Sequence, residues 1–324
     1  MYQRSVSAGV ALAAGDVNAD GAIDGFDSQL IADGIGTGEG DPGYFRRADL
    51  DGNNPEDLVT AGVPKVRDIA LDPVGCKMYW TDGGTGKIQR ANLDGSNIED
   101  LVIYLDYPVG IALDVAGGKM YWTDWATRKI QRANLDGSNI EDLVTSADGL
   151  VSPNGIALDL SAGKMYWPDR DTDRIQRANL DGSDIENLVS VSNHTSGIAI
   201  DSQGGKMYWT DSNQSLSNGF VRRANLDGSG VETLVENLRH PVGITLDTQD
   251  GHVYWTDLVT DKIQRANLDG TNVVDILTGI DEAGGLAIDV LGGKLYWPEL
   301  TTKTIQRANL DGSGLEDLVT TGID

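Results

Sequence analysis

Apolar residues along the chain fall in short bursts, each cut off by Gly, Asp, Asn or Ser. GIALD at 110–114 and 155–159 is one such burst, and KMYWTD at 119–124 is another. They are separated by turn residues such as Ala116, Gly117 and Gly118. Runs this short, rich in aliphatic and aromatic residues and bounded by turn formers, predict strands. None is long enough for a helix. The bursts recur in a fixed order. The dipeptide Tyr-Trp occurs six times, at 79, 121, 166, 208, 254 and 296, so the period is 42 to 46 residues. After each pair comes a phrase like KIQRANLDGS at 87–96, then one like EDLV at 99–102. Each RANL phrase runs into Asp-Gly, a strong hairpin signal. Four short strands per period predict an all-β chain: a six-bladed β-propeller of four-stranded antiparallel blades.

Adjacent residues on a strand face opposite ways, so each Tyr-Trp pair is expected to pack one ring on the preceding blade and one on the next. Tyr79, Trp80, Tyr121, Trp122, Tyr166, Trp167, Tyr208, Trp209, Tyr254, Trp255, Tyr296 and Trp297 are therefore expected to be structural. A feature present in every blade serves architecture, because a single active site needs a single copy.

YWTD at 79–82, 121–124, 208–211 and 254–257 resembles the class B (YWTD) repeat of the low-density-lipoprotein receptor family, over roughly 44–324. The resemblance implies a six-bladed propeller whose repeated carboxylates bond backbone between blades. Two blades depart from it, with Pro168 and Pro298 for Thr and Glu299 for Asp. Proline lacks a backbone donor, so an edge-like position or a bulge is expected there. The receptor's flanking disulfide modules are absent, since Cys76 is the single cysteine. That points away from a lipoprotein receptor and towards a prokaryotic relative. A seventh copy of the last two strands, YFRRADLDGNNPEDLVT, lies at 44–60. Either it or 304–320 closes the ring, or the chain is part of a longer array.

Ahead of the ring, residues 16–27 read DVNADGAIDGFD. Asp16, Asn18, Asp20, Asp24 and Asp27 fall at positions 1, 3, 5, 9 and 12 of a calcium loop, with Gly21 at the sharp turn and the Ala22 carbonyl at 7. One Ca2+ is expected there. With Asp in place of the final Glu, the loop resembles a single dockerin repeat followed by a short helix over 28–33. Gly25 and Phe26 stand where dockerins carry Ser or Thr to read cohesin, which argues against cohesin binding. The organisation read from sequence is a leader or linker over 1–14, a dockerin-like segment over 15–40 and a propeller over 44–324.

Fifty acidic against 25 basic residues give a net charge of −25. Nucleic acid and anionic membrane are poor partners for such a surface. No stretch of about 18 apolar residues suggests a membrane span. The ring offers little chemistry. A propeller lactonase or other hydrolase working in the central channel would need converging carboxylates, and only Asp68 and Asn154 depart from the bland inner strands. His194, His240 and His252 read as surface residues. Binding remains, and the loops that vary between blades all fall on one face. That face carries Tyr104, Tyr107, Trp125, Arg128, Arg170, Arg239 and His240. The expectation is a non-catalytic, extracellular or cell-surface interaction module whose partner is a protein or other extracellular ligand with a basic rim; a structural surface-repeat protein is the other non-enzymatic reading.

Calorimetry on the intact protein should show one calcium site that Asp16→Ala with Asp20→Ala abolishes. No calcium heat in the wild type would refute the loop.

Overall fold

The computed structural model describes residues 45–47, 56–59, 66–191, 194–212 and 218–319, the first two stretches as backbone only. The calcium loop 16–27 and the leader lie outside the described residues. The chain divides into one compact unit containing β1 (Phe45–Arg47) and β2 (Glu56–Val59) and a second running from Pro64 to Ile323.

The second unit is a six-bladed propeller. Blade one is β3 (Val66–Asp72), β4 (Lys77–Asp82), β5 (Lys87–Asn92) and β6 (Glu99–Val102). Blade two is β7 (Pro108–Asp114), β8 (Lys119–Asp124), β9 (Lys129–Asn134) and β10 (Glu141–Val144). Blade three is β11 (Ala157–Asp159), β12 (Lys164–Asp169), β13 (Arg174–Asn179) and β14 (Glu186–Ser190). Blade four is β15 (His194–Asp201), β16 (Lys206–Ser212), β17 (Gly219–Asn225) and β18 (Glu232–Leu238). Blade five is β19 (Pro241–Asp247), β20 (His252–Asp257), β21 (Lys262–Asn267) and β22 (Val274–Thr278). Blade six is β23 (Ala287–Asp289), β24 (Lys294–Glu299), β25 (Thr304–Asn309) and β26 (Glu316–Val319). In each blade the four strands pair antiparallel in chain order. The first strands of successive blades touch all the way round, β23 returning to β3.

The Tyr-Trp pairs pack as strand geometry requires. Trp122 of blade two enters the cluster that holds Tyr79 of blade one, and Trp167 the cluster that holds Tyr121. Trp thus faces the preceding blade and Tyr the following one. The last interface joins Trp80 of blade one to Tyr296 of blade six. The six Trp side chains of the repeat are fully buried. A buried indole N–H usually finds an acceptor, though those of Trp122 and Trp297 have none. In blade one Trp80 donates to Gln89 at 3.0 Å, and Gln89 donates to Asp100 at 2.7 Å.

A second set of bonds crosses five of the six interfaces. Arg90 reaches the Leu135 carbonyl of blade two at 3.1 Å, and Arg307 closes the ring onto Leu93 of blade one at 3.0 Å. The Thr of YWTD is the third link. Thr256 accepts from Gly243 N at 2.8 Å and donates to the Gly284 carbonyl of the next blade at 2.8 Å. Thr81, Thr123 and Thr210 do the same onto Val109, Asn154 and Val242. Pro168 and Pro298 cannot. There the first strand is short, and Gly155 N and Gly285 N donate directly to the next blade's Ser196 and Arg67 carbonyls at 3.0 and 2.8 Å. β11 pairs no further than Tyr166 and β23 no further than Tyr296, so each proline lies at a locally edge-like place without a bulge in its own strand.

Two local readings differ from expectation. The Asp-Gly phrases do not make two-residue hairpins; the connection runs from Leu93 to Ile98, with Asp94 accepting Ser96 N at 3.0 Å. Gly95 is required because φ is +83° and the Leu318 carbonyl of blade six leaves no room for a Cβ. The Asp ending each first strand bonds its own turn, as Asp114 does to Gly117 N at 2.7 Å; Asp159 also reaches the Ser202 side chain of blade four, but not its backbone.

β1 and β2 repeat the outer half of a blade. Their register, Phe45↔Val59, Arg46↔Asp57 and Arg47↔Glu56, reproduces Ile88↔Val102, Gln89↔Asp100 and Arg90↔Glu99 of blade one, shift included. Blade six draws its outer strands from 304–319.

Removing a fully buried indole leaves a cavity the surrounding blades cannot fill. Trp209→Ala should lower stability by about 3–5 kcal/mol in denaturant unfolding. A shift in melting temperature of a degree or less would refute the packing role.

Candidate functional site

The loops between blades and the turns after each YWTD gather on one face, around the mouth of the central channel. The YWTD carboxylates hold them there. Asp124 accepts Asp106 N at 3.1 Å and Thr127 N at 2.9 Å, so one side chain pins both the loop arriving from blade one and its own turn. Asp257 pins Arg239 N and His240 N in the same way, at 2.9 and 3.2 Å, and Asp169 pins Val151 N and Ser152 N, each at 2.9 Å.

Equivalent positions in the repeat then form rings of differing side chains. The residue after YWTD is Gly83, Trp125, Arg170, Ser212, Leu258 or Leu300. The residue facing it is Tyr107, Ser152, His194, His240 or Glu282 in blades two to six. Backbone bonds such as Trp125 N to Tyr107 O, 3.0 Å, and Leu258 N to His240 O, 2.9 Å, fix these rows together. Deeper lie Arg67, Val109, Asn154, Ser196, Val242 and Gly284, then Asp68 with five glycines. The glycines are needed because the first strands converge: a Cβ on Gly197 would lie 2.4 Å from the Val242 carbonyl. The cavity at the mouth is about 180 Å³ and is also lined by Arg170, His240, Leu258 and Leu300.

Of the seven binding residues expected from sequence, the structure joins some and separates others. Tyr107 and Trp125 meet edge to face with ring centroids 5.7 Å apart. Arg170 and His240 line the channel mouth. Tyr104 does not join the aromatic pair: its left-handed backbone, φ 64°, carries the ring into solvent, 94 % exposed. Arg128 is also left-handed, φ 56°, and exposed, and Arg239 is exposed with its backbone tied to Asp257. Arg170 Nη2 lies 2.8 Å from His194 Nδ1. The guanidinium must be the donor. Burial, then the Arg170 charge, hold the imidazole below its usual range, which keeps it neutral and able to accept.

Sequence reasoning missed Arg67. It precedes Asp68 on β3, stands over the Tyr107 ring at 5.0 Å and donates to the Tyr107 hydroxyl. Burial lowers its pKa to about 10, partly offset by Glu282, so it stays cationic at neutral pH. The signal available was its position, one residue before the site where Asp replaces Gly. Asp68 accepts Ile69 N at 2.9 Å and, across the interface, Ile111 N at 3.1 Å. Burial nevertheless pushes its carboxyl up to about 6. Among the described residues, no group of three or more His, Cys, Asp or Glu converges as a metal cage.

A six-bladed ring with one variable face defines the chain as a β-propeller built from repeats. The class B repeat profile of the low-density lipoprotein receptor matches residues 77–115, 118–160, 205–248 and 251–290, about half of the chain. The chain belongs to that family. Among solved structures, a nidogen/laminin complex contains a chain 26% identical at a TM-score of 0.67, over 72% of this chain and 90% of that one. A catalytically inactive virginiamycin B lyase from Staphylococcus aureus with quinupristin is 18% identical, TM-score 0.57, over 82% and 87%. A streptogramin B lyase is 17% identical, TM-score 0.58, over 82% and 85%. Likeness at that level shows the fold alone. A search of curated proteins gave no match.

Because the folded state holds the Asp68 proton more tightly than the unfolded chain, the group costs stability as pH rises from about 4 to above 6, by about 2–3 kcal/mol in all. The difference in unfolding free energy between wild type and Asp68→Gly should move by about that much in the variant's favour between about pH 4 and pH 7. A pH-independent difference would show that the carboxyl is not buried as described.

Proposed function

We propose that the chain is a non-catalytic protein-interaction module acting outside the cell or at its surface, with its partner seated on the variable-loop face. The observation that carries this reading is the division of the repeat itself. Hairpins on the opposite face repeat almost verbatim, while the rows around the channel mouth differ from blade to blade. Variation on one face of a rigid scaffold is where specificity sits. The Tyr107–Trp125 pair supplies a rigid aromatic anchor of the kind enriched in interface hot spots. Membership of the receptor repeat family and the likeness to a chain of a nidogen/laminin complex support a protein partner. The strongly acidic chain favours a partner with a basic rim. Calcium at Asp16, Asn18, Asp20, Ala22, Asp24 and Asp27 belongs to the same extracellular reading. The likeness to lyases shows only a shared fold, and no catalytic step is proposed.

Trp125 is 46% exposed, so the ring does not depend on it. Trp125→Ala should leave the melting temperature nearly unchanged and weaken capture of a partner from the native milieu about tenfold or more. A large loss of stability with capture intact would make Trp125 a lid over Tyr107 and remove the aromatic anchor.

A further inference from the structure

We infer that the channel mouth is a carboxylate-binding site built on Arg67 and Arg170. The inference rests on the variable-loop face being the binding face, and names what the partner must insert there. Cations that recur with the repeat are spent on their own blades. Arg90, Arg132, Arg177, Arg223 and Arg307 pair with Glu99, Glu141, Glu186, Glu232 and Glu316. Lys87, Lys129 and Lys262 pair with Asp100, Asp142 and Asp275. At the positions of Arg67 and Arg170 no other blade has an arginine, both line the same cavity, and neither has an ion pair among the described residues. In so acidic a chain, two guanidinium groups without an ion pair on the lining of one cavity are a local concentration of positive charge, offset in part by Glu282 and Asp68.

Arg67 also has unspent donors. Its Nε is buried and has no hydrogen-bond partner, and the one acceptor it reaches is a neutral phenol. A buried donor left unmade is costly, and a ligand oxygen is what would satisfy it. The fork of a guanidinium matches a carboxylate in plane and spacing. Size narrows the class further. The cavity of about 180 Å³ is below the roughly 300–1,000 Å³ that drug-sized ligands occupy, so it takes one acidic group on a short stem. Val109, Ile156, Val242 and Leu258 line it and suit the methylenes of that stem. Asp68 on the wall and Glu282 acting on Arg67 oppose a second negative charge, which favours a carboxylate over a phosphate dianion. The acid comes either from a protein segment or from a free small organic acid, and the chemistry is common to both.

The test titrates the ¹⁵N-labelled intact protein with three probes: a capped pentapeptide of four Gly around a central Glu, its Gln counterpart, and N-acetylglutamate N-methylamide. The readouts are affinity and the resonance of the Arg67 Nε–H. The Glu peptide should shift that resonance and bind at least tenfold more tightly than the Gln peptide. Arg67→Gln and Arg170→Gln should each lose at least tenfold. Equal binding of the small acid and the peptide supports the site with a free acid as ligand; tighter binding of the peptide supports it with a protein segment. Equal binding of the Glu and Gln peptides, no response to any carboxylate probe, or wild-type affinity in Arg170→Gln overturns the proposal. Arg170 is exposed, so its variant remains informative if Arg67→Gln fails to fold. Partner capture that depends on Trp125 without any carboxylate response overturns this site and leaves the interaction module standing. Carboxylate binding with no partner recovered supports the site and counts against the module.

Discussion

The structure depends on a single contact repeated six times: a tryptophan of one blade buried in the core of the blade before it. A four-stranded antiparallel sheet of this size has two faces and too little of its own interior to bury either. Pairing Tyr with Trp on one strand gives it an aromatic on each face, so every blade is half of two cores. The cores are the six clusters that join each blade to the next. No blade has a core that excludes its neighbours, and this is why the repeat folds as a ring and not as beads on a string.

Rigidity reaches the variable face through the residues that follow those rings. Thr81, Thr123, Thr210 and Thr256 tie each first strand to the next blade, and the neighbouring carboxylates fix the loops above. Backbone position at the channel mouth is therefore set mainly by residues that recur from blade to blade. Side chains there can change without moving the frame, as Trp125, Arg170, Leu258 and Leu300 do at one and the same place in the repeat. Blades three and six show how far the frame itself tolerates change: proline replaces the threonine, and a shortened first strand passes the link to a glycine N–H.

The repeat made the fold and the twelve core aromatics legible, because six spaced copies report the same constraint six times. Singular residues have no such support. Arg67 was hidden in VRDIALD, where it reads as one polar residue among alternating positions; its depth follows from the convergence of six strands, which one strand does not record. Tyr104 looked like a neighbour of Tyr107 because the two are close in sequence, but a left-handed residue turns its side chain away. Asp-Gly was recognised as a turn, while the length of the turn was set by the Gly95 approach to Leu318 on another blade. For Arg67 and Gly95 the deciding contact lies across a blade interface; for Tyr104 it is the local backbone.

Every blade of the ring takes its four strands from one continuous stretch of chain. The seam between blade six and blade one is held by the Trp80–Tyr296 core, by Arg307 on Leu93 and by Gly285 on Arg67. Among the described residues, no strand passes from one of these two blades into the sheet of the other. Five of the six joints also carry a peptide connection, whereas this one is a seam of side chains and hydrogen bonds only. Under mechanical load the circle therefore has one defined place to open, and a tug on the chain ends of the ring would part it there as a clasp parts, leaving each blade intact.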